Sequence, residues 1–119
     1  MEINVPGMEL TADKSQIQQV LLNLLKNSIE SLSETDISEK VIKLKASYTN
    51  AGKVLVQVTD NGKGIPPELA DQIFIPFFTT RVKGSGIGLS LSRQIMHLHH
   101  GTLSAYSVPF RETTFTLCF

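Results

Sequence analysis

The chain of 119 residues lacks the features that mark secreted, membrane-spanning or nucleic-acid-binding proteins. Its single cysteine, Cys118, cannot form an internal disulfide, and a reducing compartment is the simplest interpretation. Basic and acidic residues both number 11, so no overall charge attracts nucleic acid or an anionic membrane. No apolar run approaches the roughly 20 residues of a membrane span, and residues 1–10 do not resemble a signal peptide. We therefore expect a cytoplasmic domain without membrane contact.

The composition that remains is typical of a globular domain. Hydrophobic residues make up 41% and charged residues 18% of the chain, which argues against disorder. The length suits one domain with one core. We expect residues 1–119 to form that domain, and the short lead-in before the first predicted helix suggests a fragment of a longer protein.

Apolar spacing predicts the secondary structure. Helical spacing indicates a helix over about residues 13–33, with apolar positions at Ile17, Val20, Leu21, Leu24, Leu25, Ile29 and Leu32. Alternation predicts a hairpin of strands at 41–48 and 54–60. A short helix can start at Pro66 or Pro67, a loop covers 74–86, and a second helix runs from Ile87 until Gly101 stops it. Two closing strands follow, around Leu103 and Phe115.

This order of elements predicts an α+β fold. The antiparallel neighbours and the two amphipathic helices favour a two-layer α/β sandwich, with a mixed, mainly antiparallel sheet and helices on one face. We expect the other face of the sheet to be more polar. His97, His99 and His100 fall near the end of the second helix, where they are expected as cap residues rather than catalytic groups.

The glycine-rich segment GSGIGLSLS, residues 84–92, runs directly into the second helix. Glycines allow close approach of backbone to a ligand, and the first N–H groups of a helix have no internal acceptors and favour anions. Arg81 and Lys83 just upstream would add positive charge for a polyphosphate. The alternative is a glycine-rich turn before a core helix.

The segment DNGKGI, residues 60–65, places a carboxylate at the end of a strand and two glycines in the following turn. Asp60 could accept a hydrogen bond from an exocyclic amine such as that of adenine, with Gly62 and Gly64 leaving room for a flat ring. A plain Asp-Asn-Gly turn is the alternative.

Asn23 and Asn27 lie four residues apart in the first helix, off its main apolar stripe. An amide oxygen suits a hard cation, and Mg²⁺ commonly takes one or two protein oxygens together with phosphates and water. The alternative is a pair of solvated amides on the outer face of the helix.

Taken in order, these segments resemble the catalytic ATP-binding domain of sensor histidine kinases. QVLLNLLKNSIESL is similar to the asparagine box, DNGKGI to the first glycine box, IFIPFFTTR to the phenylalanine box and GSGIGLSLS to the second glycine box. The resemblance covers about residues 11–119. It implies the Bergerat-type ATPase fold shared with gyrase, heat-shock chaperone and mismatch-repair ATPases.

The resemblance also implies roles for individual residues. Asn27 would bind Mg²⁺, with Asn23 beside it on the phosphate side, and Asp60 would receive the adenine amino group. Residues 74–84 would form a lid over ATP, anchored by Phe77 and Phe78. The complete set implied to bind ATP is Asn23, Asn27, Asp60, Gly62, Gly64, Ile65, Phe78, Thr80, Arg81, Lys83, Gly84, Ser85, Gly86, Ile87, Gly88, Leu89 and Thr114.

The residue type at position 23 distinguishes groups of proteins that share this fold. Gyrase-like ATPases and anti-sigma serine kinases carry a glutamate at the corresponding position, and that carboxylate can act as general base. An amide cannot, so we expect poor ATP hydrolysis by the chain alone and no catalytic residue within it. The resemblance implies transfer of the γ-phosphate to a histidine on the parent's own dimerisation domain, with a response regulator downstream.

We expect the isolated domain to be a monomer that contacts no nucleic acid, while the parent protein could be membrane-anchored. A self-contained ATPase or serine kinase, and a non-catalytic nucleotide sensor, remain the alternatives.

Overall fold

The computed structural model describes residues 14–76 and 88–119. Two α-helices, α1 (Lys14–Ser33) and α2 (Gly88–Leu98), accompany four strands. The strands are β1 (Ile42–Tyr48), β2 (Val54–Asp60), β3 (Thr102–Val108) and β4 (Glu112–Cys118). A 3-10 turn at Pro67–Leu69 follows the predicted proline start. These bounds agree with the predicted elements to within about two residues.

The strands form one antiparallel sheet in the order β1-β2-β4-β3. Helix α1 packs against β2 and α2, and α2 packs against β3, so both helices cover the same face. The expected α+β two-layer sandwich is confirmed. Its core is formed by Val20, Leu24, Val58, Ile95, Met96, Leu103, Phe115 and Leu117.

The opposite face of the sheet is polar, as expected. Outward positions of β1 carry Lys43 and Lys45. On β2 and β4 the outward side chains bond to each other, Gln57 to Thr116 over 3.4 Å and Thr59 to Thr114 over 2.9 Å. Among the described residues, no helix is long and apolar enough to cross a membrane.

Two details differ from the sequence-based expectation. Ile29, placed in the apolar stripe of α1, is 58% exposed, while the serines at 28 and 31 are buried instead. At the end of α2, His100 rather than Gly101 adopts the left-handed conformation, with φ of 59°. The N–H groups of His100 and Gly101 bond back to His97 and Met96, respectively, as in a Schellman motif. Gly101 is required for another reason: a Cβ there would lie 2.5 Å from the backbone oxygen of Cys118.

Candidate functional site

Helix α1 contacts two groups of polar residues that differ in chemistry, and we call the surface between them the cleft. Asn23 lies against the start of α2, whereas Ser31 lies against the loop that follows β2. Their separation of eight positions corresponds to roughly 12 Å of helix rise. We call Asp60, Gly62, Gly64, Ser107 and Thr113 the carboxylate end, and Asn23, Asn27, Gly88 and Ser92 the amide end.

Asp60 is the last residue of β2 and is only 2% exposed. It occupies an inward position of the strand, on the face covered by the helices, two residues after Val58 of the core. Its Oδ1 accepts a hydrogen bond of 2.9 Å from the N–H of Gly62. A buried carboxylate on a rigid strand end is an acceptor with a fixed direction, which suits recognition of an amine.

The two glycines of this end are required by close packing. A Cβ on Gly62 would collide with the side chain and backbone of Ser31 on α1. Gly64 has φ of +77°, and a Cβ on it would lie 2.7 Å from Ser107 Oγ and 2.9 Å from Pro109 Cα. Only glycine therefore lets this loop lie between α1 and the β3–β4 turn.

A chain of hydroxyl groups continues from the loop into the sheet. The N–H of Ile65 donates to Ser107 Oγ over 3.0 Å, and Ser107 Oγ lies 2.8 Å from Thr113 Oγ1. Thr113 is 3% exposed and pairs with Asp60 in the β2–β4 register. Asp60 and Thr113 thus present a carboxylate and a hydroxyl side by side on the helix-covered face.

Thr114, predicted from the sequence to bind ATP, does not lie at this site. Strand alternation turns it to the opposite face of the sheet, where its Oγ1 lies 2.9 Å from Thr59 Oγ1. Its neighbour Thr113 is the residue of this segment that reaches the carboxylate end. The sequence signal for Thr113 was the in-out alternation of β4, because Phe115 and Leu117 share its face.

Hydrogen bonds and an ion pair hold the loop over residues 61–64 on both sides. Asn61 accepts from the N–H of Val41 over 2.8 Å and donates to the oxygen of Glu39 over 2.7 Å. Lys63 forms an ion pair with Glu34, and its backbone oxygen accepts from Phe110 over 3.1 Å. Side-chain and backbone bonds therefore hold the loop to the segment after α1 and to the β3–β4 turn.

Ser28 lies on α1 one turn before Ser31 and has no exposed surface. Its hydroxyl has no hydrogen-bond partner within the part of the chain that the structure describes. A buried hydroxyl in this state costs roughly 1–3 kcal/mol relative to a paired one. It lies between the apolar core residue Leu24 and the carboxylate end.

At the amide end, both asparagines are half-buried and their amide groups are oriented by hydrogen bonds. Asn27 Nδ2 donates to the backbone oxygen of Asn23 over 3.0 Å, which leaves its Oδ1 on the other branch of the amide. Asn23 Nδ2 donates to Ser92 Oγ over 3.1 Å and to the oxygen of Gly88 over 3.3 Å. Asn27 therefore offers an oxygen ligand, whereas the NH₂ group of Asn23 is engaged with α2.

Of the remaining predicted residues, the structure describes three. Ile65 and Leu89 are half-buried and pack against the core, and Gly88 begins α2. Phe74, at the start of the predicted lid, also packs on the core and lies under the guanidinium of Arg93, 4.4 Å from the ring centre. The predicted residues that lie outside the described ranges are Phe77, Phe78, Thr80, Arg81, Lys83, Gly84, Ser85, Gly86 and Ile87.

Comparisons with known proteins concern the family and the fold. The model of the family described as histidine kinase-, DNA gyrase B- and HSP90-like ATPase matches residues 12–119. Sensor histidine kinase ZraS of Escherichia coli K12 is 41% identical over 109 residues, which are 92% of this chain and 22% of ZraS. Sensory histidine kinase/phosphatase NtrB of Vibrio alginolyticus is 36% identical over 116 residues, covering 92% of this chain and 33% of NtrB.

Among solved structures, the catalytic domain of histidine kinase ThkA superimposes with a TM-score of 0.82 at 32% identity, covering 98% of this chain and 74% of that chain. The chain thus matches most of a known catalytic domain. It spans only about a fifth to a third of the length of the curated relatives.

Proposed function

The chain belongs to the family of histidine kinase-, DNA gyrase B- and HSP90-like ATPases, and we propose that it is the ATP-binding catalytic domain of a sensor histidine kinase. In this proposal it holds Mg·ATP and presents the γ-phosphate to a histidine on a separate dimerisation domain. Family membership makes it a nucleotide-binding domain. The kinase assignment draws on the relatives named above.

The observation that supports the proposal is that helix α1 carries an oriented amide oxygen, that of Asn27, and contacts the loop bonded to the buried carboxylate of Asp60. Asp60 would accept the exocyclic amine of adenine, because its Oδ1 is fixed by Gly62 and its burial excludes competing water. Thr113 would bond the base edge, either directly or through water. Gly64 and Ile65 would line the flat face of the base.

The amide end would hold the phosphates. Asn27 Oδ1 is a hard ligand for Mg²⁺, and the described residues contain no cluster of three His, Cys, Asp or Glu that would form an alternative metal site. When bound, Mg²⁺ would neutralise charge on the phosphate oxygens. The positive end of the dipole of α2, at Gly88, would favour the same anion.

The chemistry of Asn23 favours transfer to an external acceptor over hydrolysis. A dedicated ATPase needs a general base, and an amide cannot take a proton. Asn23 Nδ2 is, moreover, hydrogen-bonded to Ser92 and Gly88. We therefore propose a nucleophilic histidine supplied by the parent protein, with a response regulator as the downstream partner.

Calorimetry with Mg·ATP tests the binding site. We expect the unaltered chain to bind and Asp60→Asn to weaken binding at least about tenfold, because hydrogen bonds to charged groups contribute about 1.5–3 kcal/mol. Thr114→Val is the matched control, since Thr114 lies on the opposite face, and it should leave affinity unchanged. Unchanged binding by Asp60→Asn would remove the adenine assignment.

The transfer step needs a second assay. The chain is mixed with a dimerisation domain from its parent protein and with γ-labelled ATP, and label on histidine is measured. We expect label to appear only with both domains present. Sustained ATP turnover by the chain alone, at the rate of a dedicated ATPase, would instead favour the self-contained ATPase or serine kinase.

A further inference from the structure

The first turn of α2 is bonded to the middle of α1 through three polar atoms. Asn23 Nδ2 donates to Ser92 Oγ over 3.1 Å, and Ser92 Oγ donates to the backbone oxygen of Gly88 over 2.8 Å. Asn23 Nδ2 also lies 3.3 Å from that same oxygen. The three atoms form a small ring of hydrogen bonds. It joins Asn23 to Gly88 and Ser92, which follow Asn23 by 65 and 69 positions in the sequence.

A hydrogen bond from Gln19 also sets the orientation of the Asn23 amide. Gln19 Nε2 donates to Asn23 Oδ1 over 3.2 Å, so the oxygen branch of the amide faces Gln19 and the NH₂ branch faces α2. A Cβ added to Gly88 would lie 3.7 Å from Asn23 Cγ, which shows direct packing of the amide on the helix start. Both branches of the Asn23 amide are therefore used within the protein.

Ser92 completes the arrangement from within α2. It has no exposed surface, and its hydroxyl both accepts from Asn23 and donates to Gly88. A buried hydroxyl with both functions satisfied is costly to remove, because Asn23 would lose an acceptor. The oxygen of Gly88, the first residue of α2, is thereby held at a fixed place relative to α1.

We infer that Asn23 and Ser92 are positioning residues that fix the start of α2, and hence the backbone N–H groups of its first turn, relative to Asn27. This inference rests on the proposed function, because those N–H groups matter only if they face phosphate. It assigns Ser92 a role in triphosphate binding without contact to the ligand. It also explains an amide at position 23: a glutamate would direct carboxylate oxygen at the carbonyl of Gly88, an unfavourable contact between acceptors.

The two ends of the cleft allow a selective test. Ser92→Ala removes the ring, and Gln94→Ala, at an exposed position of the same helix, is the control. Affinity for Mg·ATP is measured by calorimetry, and affinity for adenosine, which lacks phosphates, by NMR titration. We expect Ser92→Ala to weaken Mg·ATP about tenfold while adenosine affinity changes by less than about twofold. Gln94→Ala should change neither affinity.

A merely structural role for Ser92 would give a different result, because it would weaken ATP and adenosine together or affect only the melting temperature. Either of those outcomes, or unchanged ATP affinity, would overturn the inference. If the unaltered chain binds no ATP at all, the proposed function itself fails, so the two failures are distinguishable.

Asn23→Ala supplies an independent variant and closes a double-mutant cycle. Because Asn23 and Ser92 act through one ring of bonds, we expect the double variant to bind Mg·ATP no more weakly than the worse single variant. Additive losses would mean that the two residues act separately, and this would contradict the inference.

Discussion

The carboxylate end and the amide end of the cleft are built in different ways. Asp60 lies in a sheet strand, and the loop after it is bonded to residues 39–41, to Glu34 and to the β3–β4 turn. The amide end instead lies between two helices that Asn23 and Ser92 join side chain to side chain. The proposed base pocket is therefore formed by the sheet and its loops, whereas the proposed phosphate site depends on how α2 lies against α1.

Because of this difference, the two ends should respond differently to added side-chain volume. At the carboxylate end, added volume meets backbone, because a Cβ on Gly64 would lie 2.9 Å from Pro109 Cα. At the amide end, a Cβ on Gly88 would meet side-chain atoms of Asn23 at 3.7 Å or more, an ordinary contact distance and the nearest contact among the described residues. A methyl group added to a glycine should thus cost more stability at the carboxylate end than at the amide end.

The largest expected effect is on the stability of the carboxylate end. Gly64→Ala must place an alanine at φ of +77° and against Ser107 and Pro109. Left-handed strain and overpacking together should lower the free energy of unfolding by about 2–5 kcal/mol. Urea denaturation measures this. Gly88→Ala is the paired variant and should cost less than about 1 kcal/mol, so equal losses would contradict the comparison.

Asn27→Ala should act on the ligand rather than on the fold. Loss of the amide oxygen should remove most of the gain in ATP affinity that Mg²⁺ provides and reduce phosphotransfer about a hundredfold, while the melting temperature without nucleotide shifts little. Calorimetry with and without Mg²⁺, together with the transfer assay, measures both. Retained transfer would refute the role of Asn27 as metal ligand.

The ion pair between Lys63 and Glu34 should contribute less. Both side chains are about a third exposed, at 30% and 32%, so solvent and salt screen their interaction. We expect Lys63→Met to lower the free energy of unfolding by at most about 1 kcal/mol, with a smaller loss in high salt. Lys45→Met, on the polar face, is the control. A larger, salt-insensitive loss would mean that this pair holds the loop by itself.

Ser28→Ala should have the smallest effect. Its hydroxyl is buried without a partner among the described residues, so removing it leaves no broken hydrogen bond. We expect stability to stay within about 0.5 kcal/mol or to rise. Ser92→Ala, which breaks two bonds, should destabilise the protein more, and thermal melts compare the two. A loss at Ser28 that equals the loss at Ser92 would show that its hydroxyl has a partner.

Sequence patterns predicted the elements well because each is strongly periodic. The alternation of Val54, Val56 and Val58, for example, has one sheet-compatible arrangement with a buried face. Because side chains alternate between the two faces of a strand, motif matching cannot easily tell which of two neighbouring threonines faces the site. Thr113 and Thr114 differ by one residue, and that step moves a side chain to the other face of the sheet.

Sequence patterns did not predict the contacts between segments that are distant in the chain. The helical spacing of Asn23 and Asn27 indicated a polar face, but nothing in it identified Ser92 as the partner of Asn23. The packing of Phe74 under Arg93 is likewise a tertiary contact that no sequence pattern indicated. Ile29 was misplaced because the buried face of α1 includes Ser28 and Ser31 instead, and Ser31 lies directly against Gly62.

The most direct test of the central claim is an NMR titration of the ¹⁵N-labelled chain with Mg·ATP. If one nucleotide spans the cleft, the backbone amides of Gly62, Gly64 and Gly88 and the side-chain amides of Asn23 and Asn27 should shift together with a single dissociation constant. The side-chain amide of Gln57 on the polar face should not move. Shifts confined to one end of the cleft, or two unrelated dissociation constants, would contradict a single nucleotide site.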